Sequence, residues 1–149
     1  AAEKEMIIVL NPSPYNGKLK ACDLKAVTYF LVNEVEAEQM TGESSKEAMP
    51  EKLLEAYPKS RFVLTLGSEG SVYKDAQGEY RQGIFPVKAV DTTGAGDTYT
   101  GYFIASVLQG KEIPEALRIA AAASAIAVTR PGASSSIPRM EEIEAFLEP

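Results

Sequence analysis

Short apolar runs rich in β-branched or aromatic residues alternate along this chain with segments of helical period, and this alternation constrains the fold more than any other feature. Residues 6–10 form one such run, closed by Asn11-Pro12-Ser13-Pro14, and residues 28–32 form a second. Both are too short for helices and read as buried strands. Asn33 follows the second run with a side-chain oxygen suited to capping a helix, and Glu36 stands three residues on, in capping-box spacing; the helix is expected to stop at Gly42. Residues 48–57 carry Leu53, Leu54 and Tyr57 at helical spacing, and residues 61–66 follow as a third strand ending at Gly67. Residues 71–74 and 79–82 flank Asp75-Ala76-Gln77-Gly78, the pattern of an antiparallel hairpin, and residues 85–90 read as a further short strand. Beyond Gly96 the pattern is helical, with Thr98, Gly101, Tyr102, Ala105 and Leu108 in period. An Ala-rich helix is expected over residues 116–129, a polar loop over 130–136, and a last helix over 141–147 after Pro138. The fold class is therefore α/β.

Composition narrows the function. A length of 149 residues with 45% hydrophobic content supports one sizeable core, so residues 1–149 are expected to form a single domain. A formal charge of −6 without a run of Lys or Arg argues against nucleic acid as a partner, whose affinity rests on basic residues neutralising phosphates. A small phosphorylated ligand stays open, since backbone amides at a helix start bind anions without basic side chains. Cys22 is the lone cysteine and histidine is absent, which excludes an intramolecular disulfide and a Cys/His zinc site and fits a reducing cytoplasm. No apolar run reaches the roughly 20 residues that cross a bilayer, so no membrane partner is expected. Without histidine, proton abstraction falls first to a carboxylate. Ala1-Ala2-Glu3-Lys4-Glu5 lacks an initiator Met and reads as the end of a solvated helix, so a fragment of a longer protein is expected.

The stretch Asp91-Thr92-Thr93-Gly94-Ala95-Gly96-Asp97-Thr98 carries the chemistry. A glycine-rich turn that opens a helix lets backbone approach an anion, the first-turn amides lack intrahelical partners, and the helix dipole is positive there. Asp97 would repel a ground-state phosphate, yet beside a transferring phosphoryl group it could accept the proton of an attacking hydroxyl. Read alone, the same residues also fit a plain turn with Asp97 capping a helix. They match neither a Walker A loop nor a GxGxxG dinucleotide fingerprint.

Asp91 to Thr98 followed by Gly101 resembles the C-terminal signature of the ribokinase-like carbohydrate kinases. The likeness extends to Asn11-Pro12-Ser13-Pro14, Asn33-Glu34-Val35-Glu36-Ala37, Thr65-Leu66-Gly67-Ser68-Glu69-Gly70, Val128-Thr129-Arg130-Pro131-Gly132-Ala133 and Ser136-Ile137-Pro138. It implies a doubly wound, Rossmann-like fold of which this chain is the C-terminal, nucleotide-binding half with a small β-hairpin. It implies ATP with Mg²⁺, and K⁺ nearby, with ribose as the leading acceptor and fructose, another sugar or a nucleoside as alternatives. On this resemblance Gly94, Ala95 and Gly96 line an anion hole and Asp97 is the catalytic base facing the acceptor. Asn33, Thr65, Gly67, Ser68, Glu69 and Gly70, with Gly96 and Asp97, face the nucleotide. Asp91, Thr93, Ala127, Arg130, Gly132 and Ser136 hold the monovalent cation, mostly through backbone carbonyls, and Arg130's side chain stays outside the catalytic set. Homodimerisation of a full-length enzyme belongs to the same implication. Family members are about twice this length, and the half not present here usually supplies the sugar pocket and its lid, so the piece alone is expected to be inactive. A different class remains in view, a non-catalytic nucleotide-binding module built on the same loop.

Overall fold

The structure, a computed structural model, describes residues 6–148, so the helix end expected at Ala1 to Glu5 lies outside the described residues. Two compact units divide the chain, residues 1–81 and 82–149. The first is built on a five-stranded sheet whose strands lie in chain order: β1 (Val9–Leu10), β2 (Tyr29–Asn33), β3 (Arg61–Thr65), β4 (Ser71–Lys74) and β5 (Glu79–Gln82). Strands β1, β2 and β3 run parallel, and β4 turns antiparallel onto β3 with Thr65 opposite Ser71. The connections hold α1 (Gly17–Lys20), α2 (Glu34–Thr41) and α3 (Met49–Ala56). This is the mixed α/β sheet that the alternating pattern predicts, with the hairpin at the expected residues.

Alternation along the strands explains the core. Phe30, Val32, Phe62, Leu64 and Val72 share one face with Ala37, Met49 and Leu53 of the two following helices. The rings of Phe30 and Phe62 stack at 5.2 Å. The intervening residues Leu31, Val63 and Tyr73 are buried as well, as expected of central strands whose two faces are both covered. Helix α2 starts where the sequence places it. The Asn33 side chain accepts the Glu36 amide at 2.9 Å, the Glu36 carboxylate accepts the Asn33 amide at 3.0 Å, and Gly42 closes the helix at φ 76°. The single turn α1, capped by Asn16 accepting from Lys18 and Leu19, was not foreseen.

Two strand expectations are corrected. Of residues 6–10 only Val9 and Leu10 pair with β2. The Ile8 amide goes to the Thr28 hydroxyl instead of the ladder, and Met6 and Ile7 are exposed. Residues 85–90 form no strand. Pro86 cannot donate to a ladder, and Phe85 packs onto a helical cluster, edge-on against Phe146 at 5.4 Å.

The second unit is helical: α4 (Ala95–Leu108), α5 (Ile113–Val128) and α6 (Met140–Leu147), with a short 3₁₀ turn at Ser134–Ser136. Helices α4 and α5 pack along their lengths. Ala116, Ala120, Ala122, Ala123 and Ala127 are all buried, and their small side chains leave room for another backbone to come close. Helix α5 begins earlier than expected, with Pro114 in its first turn, where a missing N–H costs nothing. Ile119, Ile126 and Ile143 gather with Phe85, Tyr102 and Met140 and seat α6. No helix among the described residues is long and apolar enough to cross a membrane.

Candidate functional site

In the first unit the candidate residues cluster where β2 and β3 end. Asn33 and Thr65 are register partners at the carboxyl ends of adjacent parallel strands, the end at which ligands bind in open α/β sheets. The capping box engages the Asn33 side-chain oxygen, and the Asn33 side-chain amide nitrogen makes no bond to a described residue and is left to face beyond the helix start. The Thr65 hydroxyl leans on the Val32 carbonyl at 3.4 Å. Beyond it, Gly67–Glu69 makes a 3₁₀ turn, with Gly67 at φ 56° and Gly70 at φ 91°. The turn closes on itself, since the Leu66 amide donates to the Gly70 carbonyl at 2.8 Å and the Gly70 amide to the Gly67 carbonyl at 3.2 Å. Gly67, Ser68 and Glu69 are exposed.

Lys46 is a member of this cluster that sequence reasoning missed. Its ammonium sits 2.8 Å from Glu34 and pairs also with Glu69, which raises its pKa above the ordinary lysine value. Glu69 alone would oppose an approaching anion; Lys46, shared between Glu34 and Glu69, offsets that charge in part. The two partners lie far from Lys46 in the chain, and no short spacing signals either pair.

In the second unit the Asp91 to Thr98 segment is a turn running into α4, as its sequence predicts. Gly94 is the helix cap at φ 75°, a conformation that favours glycine. A Cβ there would also meet the Ala133 Cα at 3.3 Å, so this position is glycine for two independent reasons. The Gly94 carbonyl accepts both the amide of Thr98 at 2.8 Å and its hydroxyl at 2.9 Å. The Ala95 amide is drawn back to the Thr92 carbonyl at 3.2 Å. The amides of Gly96 and Asp97, in the first helical turn, have no partner among the described residues. Asp97 is exposed, and its carboxylate makes no hydrogen bond or ion pair to a described residue. The turn thus presents two open amides, the positive end of a fourteen-residue helix and one open carboxylate. That set can bind an anion and take a proton from a group beside it.

A second loop braces this turn. One Asp91 oxygen accepts the Thr93 hydroxyl at 2.6 Å and the Thr93 amide at 2.9 Å; the other accepts the Gly132 amide at 2.9 Å. The Thr93 hydroxyl first, then the Gly132 and Thr93 amides, hold the Asp91 carboxyl down to about 2. Ala127 lies in the last turn of α5, its carbonyl accepting the Arg130 amide at 3.1 Å. Ser136 is fully buried and donates to the Ala133 carbonyl at 2.7 Å. The Arg130 guanidinium turns away to Glu142. The six residues expected at a cation site therefore fall on two turns and a helix end within one unit, where Asp91 ties the turns together. The carbonyls of Thr93, Arg130 and Gly132 accept no hydrogen bond from a described residue, and free carbonyls beside a carboxylate are the donors that a hard cation takes.

The model of the pfkB family carbohydrate kinases matches residues 1–140 of the chain. The chain belongs to that family. Among relatives, ribokinase of Haemophilus influenzae is 38% identical over 148 residues, which cover 95% of this chain and 47% of that protein. Among solved structures, the fold is similar to ribokinase of Thermotoga maritima, with a TM-score of 0.85, 36% identity, and 98% of this chain on 50% of that one. Ribokinase of Arabidopsis thaliana complexed with ribose and ATP gives a TM-score of 0.84 at 27% identity, with 99% of this chain on 49% of that one. The chain spans about half the length of these pfkB-family relatives.

Proposed function

We propose that the protein to which this chain belongs transfers the γ-phosphoryl group of ATP to a sugar hydroxyl, with ribose as the acceptor and ribose 5-phosphate as the product. One observation carries the reading: an open carboxylate, Asp97, stands in the same helical turn as two unpartnered amides. The amides of Gly96 and Asp97, at the positive end of α4, stabilise negative charge on the transferring group. Gly94 holds the turn in the shape that aims them, and Ala95 keeps it closed through Thr92. Asp97 accepts the proton of the incoming hydroxyl as the bond to phosphorus forms, which suits a loose transition state governed by positioning. Mg²⁺ bound with the nucleotide supplies neutralisation of phosphate charge.

Asn33, Thr65, Gly67, Ser68, Glu69 and Gly70 are the proposed nucleotide-facing residues; the end of the parallel strands and the exposed turn after β3 support that role. Asp91, Thr93, Ala127, Arg130, Gly132 and Ser136 are the proposed holders of K⁺. The free carbonyls and the low pKa of Asp91, which keeps it ionised, support that set. A cytoplasmic location and a homodimeric full-length enzyme complete the reading.

The test is ADP release from the full-length protein with ATP, Mg²⁺ and a panel of pentoses, hexoses and nucleosides. Turnover with ribose well above the rest is expected. Turnover with fructose or a nucleoside instead would move the acceptor, and nucleotide binding with no productive acceptor would overturn phosphoryl transfer in favour of a binding module.

A further inference from the structure

Glu142 is absent from every motif considered above, yet it closes the loop that braces the Asp91 to Thr98 turn. One carboxylate oxygen takes the Arg130 guanidinium, and the other accepts the Arg139 backbone amide at 2.8 Å. The two ends of the 130–139 segment are thereby fastened to a single side chain on α6. Between those ends, Gly132 donates to Asp91 at 2.9 Å, and Ala133 lies where a side chain on Gly94 would have to go. The Tyr102 hydroxyl of α4 donates to the Pro138 carbonyl, and Ser136 is buried. The clasp thus reaches the open amides of Gly96 and Asp97 through two contacts, one polar and one steric.

The energetics separate this role from plain stability. Arg130 and Glu142 are 37% and 41% exposed in their side chains, and ion pairs so open to water add little to folding. The geometry, by contrast, is specific. A loop released at one end can withdraw Ala133 from Gly94 and Gly132 from Asp91, and the turn that holds Gly94 then relaxes. We infer that Glu142 is a positioning residue for phosphoryl transfer, which holds the 130–139 loop shut and through it sets the amides of Gly94 to Asp97. The inference rests on the proposed function for its kinetic consequence and on the structure alone for its effect on the loop.

The experiment uses the full-length protein and the Glu142→Gln variant, whose amide oxygen still accepts from Arg139 but cannot pair with the Arg130 charge. Amide hydrogen exchange at Ala95, Thr98 and Gly132, whose amides are bonded to Thr92, Gly94 and Asp91, is expected to speed up while Tm stays at the wild-type value. In the same variant kcat with the productive sugar is expected to fall about 2- to 30-fold, the range typical of residues that act through others. The Arg130→Glu/Glu142→Arg double variant is expected to recover part of both effects. Should Glu142→Gln fold poorly, Arg130→Met reads the same pair from its other end. Wild-type exchange at those amides in either variant would overturn the inference, as would a loss of turnover that follows Tm alone. A wild-type protein that turns over no sugar would overturn the proposed function instead, and the exchange result would still decide the role of Glu142.

Discussion

The turn after β3 and the turn before α4 are both glycine-bearing, both exposed at their tips and both proposed to take part in ligand binding, but different forces hold them. Around Gly67 and Gly70 the backbone bonds to itself within five residues, and a Cβ on Gly67 would meet nothing. Around Gly94 the shape depends on a loop some forty residues further along the chain: Ala133 fills the space beside the glycine and Gly132 is tied to Asp91, 41 positions away. The first turn is therefore local chemistry, complete once the sheet forms. The second is tertiary and is right only when α5, α6 and the intervening loop are in place. The difference suits the two proposed tasks, since gripping a nucleotide tolerates small adjustments whereas aligning a base with a phosphoryl group does not, a displacement of about 1 Å being able to cost about 100-fold in rate.

Three experiments strain that contrast. The largest effect is expected from Asp97→Asn in the full-length protein, where turnover should fall by about 10²–10⁴-fold with nucleotide affinity retained, because the amide cannot accept the proton while the open backbone amides remain. Unchanged turnover by steady-state ADP release would remove the chemistry from the second turn altogether. Next comes the pair Gly94→Ala and Gly67→Ala, compared by urea unfolding. Each forces an L residue into a left-handed conformation, at about 1–2 kcal/mol. Only Gly94→Ala adds the contact with Ala133 at 3.3 Å, and overpacking of that kind raises the total to about 2–5 kcal/mol. Equal losses in the two variants would mean that the brace yields freely and that the contrast drawn above is false.

Much of this architecture can be read in the sequence because its causes are local. Asn33 and Glu36 announce the start of α2 through their spacing, Gly42 announces its end, and the Asp75 to Gly78 segment announces the β4–β5 hairpin. Each is a contest between a few neighbouring groups. The turn from Asp91 into α4 is legible for the same reason. Residues 85–90 mislead because Phe85 serves a helical cluster while Val90 is exposed, and an apolar pattern cannot distinguish either from a sheet face. Met6 to Ile8 mislead because an apolar run says nothing about how many of its residues find a partner strand. The Lys46 and Glu142 pairs are illegible in principle. They join groups between 12 and 23 positions apart through side chains that carry no periodic signature.

The third experiment has the smallest effect in neutral solution, where none is expected, and it isolates the tie itself. Asp91 accepts three hydrogen bonds in the native state, which hold its pKa at about 2, whereas an unfolded aspartate titrates at about 3.9. Because the folded value is the lower one, the ionised carboxylate contributes stability that is fully present above about pH 4 and is lost as the pH falls through about 2. Carboxyl ¹³C shifts of Asp91 followed by NMR should therefore show a midpoint near 2, with the Gly132 amide shift moving in step. The turn at Gly67 to Gly70, whose bonds are backbone to backbone, should show no matching transition. A midpoint for Asp91 near the ordinary aspartate value, or a Gly132 shift that ignores it, would mean that the two loops are not joined there. In that case the precision of the second turn would have to come from the steric contact at Ala133 and from the bonds of the Val90 and Asp91 amides to the Val128 carbonyl.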